Sequence, residues 1–197
     1  MKKIILLITV LSLTVMVQAQ DFKKDITTAK TSYAANKLED AHFALQQALS
    51  EIDMIIGREV LKLLPPKMDT SSVNSKEDKV SSNVGFAGAT VHRSYGKSEK
   101  AEVEIISNSP LIATLNTLMN MPMMGGLMRD ENNKTVKVQG YKARLEKQAG
   151  NEEQATYVLQ IPFSSALLTF TVHNSSEKEI LKLADTLPLD QIAKLIQ

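Results

Sequence analysis

The chain has 197 residues, 43% of them hydrophobic, and carries 23 Lys and Arg against 22 Asp and Glu, so it can bury a core while holding almost no net charge. That even mixture gives no electrostatic case for nucleic acid or for an anionic membrane surface. The absence of cysteine excludes disulfides, thiolate zinc sites, redox pairs, a thiol nucleophile and the lipidated cysteine of a bacterial lipoprotein.

Met1-Lys2-Lys3 precedes an uncharged run from Ile4 to Val17, and Val17-Gln18-Ala19 closes it on a small residue. This is the pattern of a signal peptide cut between Ala19 and Gln20. The apolar run is about 14 residues, short of the roughly 20 that a spanning helix needs. Loss of the first 19 of 197 residues leaves 178 and removes Lys2 and Lys3, so 21 basic groups face 22 acidic ones. The expectation is an exported protein, periplasmic or secreted and soluble, that does not span a membrane after cleavage.

From Asp21 to Leu64 the pattern is helical. A first helix is expected to about Ala35, with Asn36-Lys37 as the turn. In the second, Leu38, Ala41, Leu45, Ala48, Leu49, Ile52, Ile56, Val60 and Leu63 recur at steps of three and four as one apolar stripe. Pro65-Pro66 stops it. Residues 20–64 are therefore expected to form an antiparallel helical hairpin. Asn36 to Ala41 resembles the second half of a tetratricopeptide repeat, but no second copy follows to stack on it.

Residues 65–83 are rich in Ser, Pro and charge and are expected to be a linker. An α+β sheet domain is expected over residues 84–197. Ala87 to Tyr95 and Ala101 to Ile106 alternate as strands around Gly96-Lys97-Ser98. Ser109-Pro110 opens a helix to about Asn120. Strands then follow at Thr135 to Gln139, Tyr141 to Lys147, Ala155 to Phe163 and Leu167 to His173. Ser176-Glu177-Lys178-Glu179 has capping-box form and starts a helix, and Leu189 to Ile196 forms a last short one. The order of elements predicts an antiparallel sheet of about six strands with helices packed on one side.

Five of the nine methionines lie between Met119 and Met128, and no charge occurs from Asn108 to Met128. Thioether side chains adapt to irregular apolar partners. Leu111, Leu115, Met119, Met121, Met123, Met124 and Met128 are thus candidates to bind an envelope protein, peptide or lipid. The alternative is a Cu(I) site built from Met119, Met121, Met123 and Met124, because soft sulfur selects cuprous copper. Core packing of the same residues is the third reading. The histidines are His42, His92 and His173. His92 and His173 could share a sheet face if their strands pair, and a hydrolase would need one of them to converge with an acid or hydroxyl in a cleft. No nucleophile elbow, zinc-protease helix, phosphate loop or calcium loop occurs. The expected function is therefore non-enzymatic partner binding, with no cofactor.

Glu104-Ile105-Ile106-Ser107-Asn108-Ser109-Pro110-Leu111, the later Met-Pro-Met-Met, Val-Gln-Gly-Tyr-Lys-Ala and the helix end Leu63-Leu64-Pro65 resemble a group of uncharacterised exported proteins of Bacteroidota-type bacteria. The likeness spans most of the mature chain and implies an exported protein. It brings no activity and no site residues.

Overall fold

The computed structural model of the protein describes residues 21–83, 87–107, 112, 132–148 and 155–196. Residues 21–34 form helix α1. At its end Asn36 takes a left-handed φ of 57°, which a short polar side chain tolerates. The Lys37 amide then reaches Ser32 O at 2.8 Å and the Asn36 amide Tyr33 O at 3.0 Å, so the free carbonyls of the last turn are satisfied. Helix α2 runs from Leu38 to Leu63 and stops at an extended Leu64, as the proline pair requires.

Residues 65–83, expected as a linker, are built into the fold. They carry strands β1 (Lys67–Met68), β2 (Ser71–Ser72) and β3 (Lys79–Asn83). Met68 is buried, Val73 bridges Tyr95, and the Asn74 amide donates to Ser94 O at 2.9 Å. Short strands with one inward apolar residue each give no alternation to read.

The remaining strands are β4 (Ala87–Tyr95), β5 (Ala101–Ser107), β6 (Asn133–Val138), β7 (Tyr141–Lys147), β8 (Ala155–Pro162) and β9 (Ala166–Ser175). Together with β3 they make a seven-stranded sheet in the order β3-β4-β5-β9-β8-β7-β6, antiparallel throughout. The class is α+β, as expected, with one strand more than the six foreseen. Helices α3 (Glu177–Ala184) and α4 (Leu189–Leu195) complete the described chain. Ser176 Oγ accepts from the Glu179 amide at 3.2 Å, the N-terminal cap that the sequence predicts. The helix expected from Pro110 to Asn120 lies outside the described residues except for Ile112, which is helical and buried.

Register puts the apolar residues of each strand on one face. Val91, Ile105, Leu168 and Ile161 form one row across the sheet, and Val103, Phe170, Leu159 and Leu145 the next; all eight are buried. Val60 of α2, Ile180 and Ala184 of α3, and Leu189 and Ile192 of α4 complete this core. Gly57 sets how closely α2 approaches the sheet. A Cβ there would stand 2.6 Å from Val80 Cγ1 and 3.1 Å from Ala89 Cβ, so only glycine fits without a shift.

The end of α2 is tied to β4 by charge. Arg93 donates from Nε and Nη2 to both Asp78 oxygens at 2.9 and 2.6 Å, and from Nη1 to Leu64 O at 2.9 Å. Tyr95, fully buried, donates its hydroxyl to Pro65 O at 2.9 Å. Two carbonyls left free by the broken helix thereby gain partners.

Candidate docking surface on the long helix

Helix α2 carries two apolar stripes of different character. Ala41, Ala44 and Ala48 are buried, as is Ala29 of α1. From Ser50, which bonds Ser82 Oγ at 3.0 Å, through Gly57 and Val60 the helix lies against the sheet. The large residues of its N-terminal half turn outward. Leu38 is 57% exposed, Leu45 48%, Leu49 60% and Ile52 38%. The single apolar stripe expected from the spacing thus divides: alanine allows close approach of a neighbouring backbone, whereas the leucines are left in water.

Among the described residues, Tyr33, Leu38, Phe43, Leu45, Leu49, Ile52 and Ile55 account for all but Leu195 of the exposed large hydrophobics. Scattered apolar exposure is ordinary; here it is concentrated in the 23 residues from Tyr33, at the end of α1, to Ile55 of α2. Beside it, Asp21 of α1 and Ser50, Glu51, Met54, Ile55 and Arg58 of α2 line a small cavity of about 190 Å³. Glu51 Oε2 is buried there without a hydrogen-bond partner. Burial, then the nearby charges of Asp25 and Asp21, push the Glu51 carboxyl above its ordinary range.

The opposite face of the sheet carries a polar row. His92 sits across from Glu104, Glu104 from Thr169, and Thr169 from Gln160. His92 and His173 share this face, but β5 separates their strands. His173 lies between Thr156, whose Oγ1 is 3.0 Å from Nδ1, and Glu102, whose Oε1 is 3.2 Å from Nε2. Hydroxyl, imidazole and carboxylate in series can move a proton. The contacts sit on a half-exposed strand surface, outside the lining of the Glu51 cavity and of a second cavity at residues 73–77 and 96–99. The larger of those cavities, a cleft of about 800 Å³, lies between residues 73–77 and the turn 96–99. Two of its lining residues meet at Ser94, which accepts from Asn74 Nδ2 at 3.0 Å and donates to Glu77. Among the described residues no group of three or more His, Asp or Glu could hold a metal ion. No helix among them is long and apolar enough to cross a membrane.

The binding residues expected from sequence, Leu111, Leu115, Met119, Met121, Met123, Met124 and Met128, lie outside the described residues. So do the cleavage site at Ala19 and Gln20 and the copper alternative. The exposed stripe on α2 is hidden in the sequence because leucine and alanine follow the same helical spacing. The signal that separates them is side-chain size, with large residues at Leu38, Leu45, Leu49 and Ile52 and alanine at 41, 44 and 48. No protein-family model and no curated protein matches this chain.

Proposed function

We propose that this is an exported, non-enzymatic binding protein that receives a partner on the exposed apolar stripe of α2. The observation that carries the reading is the concentration of exposed large side chains between Tyr33 and Ile55. We read α1 and α2 as an antiparallel hairpin projecting this surface. The effect of Asp21 and Asp25 on Glu51, and the cavity that Asp21 shares with Ser50 to Arg58, support that arrangement. The sheet domain is then the scaffold on which the hairpin is mounted through Gly57 and Arg93.

A photoreactive residue at position 49, with a control at Glu59, tests the reading in producing cells. A discrete adduct at 49 that is absent at 59 is expected. Equal labelling at both positions contradicts it. Partner binding through Leu111 to Met128, and a Cu(I) site in the same methionines, rest on composition. Serine at Met121, Met123 and Met124 tests the former, and competition with a Cu(I) chelator tests the latter.

A further inference from the structure

We infer that the partner of the α2 stripe is an amphipathic helix with lysine or arginine beside its apolar seam; this rests on the docking reading above. Leu38, His42, Leu45, Leu49 and Ile52 are spaced by four, three, four and three residues. That is the seam a second helix fills with knobs into holes, not the alternation that a strand reads. The 14-residue reach from Leu38 to Ile52 spans about 21 Å of helix, or two full heptads of contact. His42, exposed within the seam, is the polar position that fixes register.

Charge decides which helix. From Leu38 to Gly57 α2 carries Glu39, Asp40, Glu51 and Asp53 and no lysine or arginine. Glu39, Gln46 and Asp53 fall on one side of the seam, seven residues apart. A second copy laid antiparallel on the stripe, with Leu45 against Leu49 of the other copy, would bring Glu39 beside Asp53 of the other copy, which like charges oppose. An anionic lipid surface is opposed for the same reason. A basic flank is favoured, and it also raises the rate of encounter.

The test uses the exported protein and two synthetic helical peptides of equal length with leucine at every seam position, one flanked by lysines and one by glutamates. Fluorescence anisotropy at low salt is expected to show at least about tenfold tighter binding of the lysine peptide, narrowing at high salt. Leu45→Asp with Leu49→Asp abolishes it, and Glu39→Lys with Gln46→Lys reverses the preference. Equal binding of both peptides, lost in the Leu45/Leu49 variant, would overturn the basic helix while leaving the docking surface. A dimer in sedimentation that the same variant dissociates would assign the stripe to a second copy and overturn the inference. A folded monomer that binds neither peptide would remove the docking reading itself.

Discussion

At the scale of single residues, the Arg93–Asp78 pair, Tyr95 and Glu51 have measurable consequences. Arg93 and Asp78 are 12% and 13% exposed, and Arg93 also holds the Leu64 carbonyl. Removing one member of such a pair strands the other in a dry site, so Arg93→Ala should cost about 3–5 kcal/mol in chemical denaturation. Tyr95 is pushed to about 12 by burial. Its phenol ionises near 10 in the unfolded chain and only near 12 in the fold, so the stability linked to it is complete below pH 10 and drains as pH rises to 12. Tyr141, held up by its hydrogen bond to Asp190, adds to that slope. The difference between the parent and Tyr95→Phe isolates Tyr95, and the variant should unfold with a flatter dependence above pH 10. Glu51 has the same sign in the acid range: its raised carboxyl favours the protonated fold, so stability falls as pH climbs through that window. Glu51→Gln should therefore be more stable than the parent at pH 7 and no more stable at pH 3.

At the scale of elements, the contact between α2 and the sheet turns on Gly57. Gly57→Ala places a methyl 2.6 Å from Val80 Cγ1, and overpacking of this kind costs about 1–3 kcal/mol. Val80→Ala in the same chain should recover part of that loss, a coupling that a double-mutant cycle measures. Opposite, the β6–β7 turn at Gln139 and Gly140 has φ of 49° and 89°, the two-residue hairpin geometry. Gln139 Nε2 donates to the carbonyls of Asp185 and Leu187 at 3.0 and 2.8 Å, which fastens the hairpin to the link between α3 and α4. The strands with strict alternation were legible in sequence because Val103 and Ile105 face a core and Glu102 and Glu104 face water. β3 was not, since Lys79-Val80-Ser81-Ser82-Asn83 offers one apolar side chain to the core. The cap at Ser176 was readable because it is local; the reach of Arg93 to Leu64, 29 residues away, was not.

At the scale of the whole molecule, a seven-stranded sheet covered on one face by α2, α3 and α4 supports an N-terminal helical surface that is apolar and acid-flanked. The methionine cluster is the loudest compositional signal in the sequence; among the described residues, every exposed large hydrophobic but Leu195 lies between Tyr33 and Ile55. Spacing announced that α2 was amphipathic. Which stripe met protein depended on where the sheet stops, and that is set by pairing between distant strands. Export predicts that the protein recovered from producing cells begins at Gln20, a result that intact mass or N-terminal sequencing reads directly.

Leu45 and Leu49 are surface and not core. Thermal unfolding of the Leu45→Asp, Leu49→Asp variant, compared with Phe170→Ala in the sheet, tests this placement. Exposed sites tolerate such changes within about 0.5 kcal/mol each, whereas truncating a buried phenylalanine costs about 3–5 kcal/mol. A midpoint within about 4 °C of the parent is expected for the double aspartate, and a collapse for Phe170→Ala. A double aspartate that unfolds as readily as Phe170→Ala would contradict that placement.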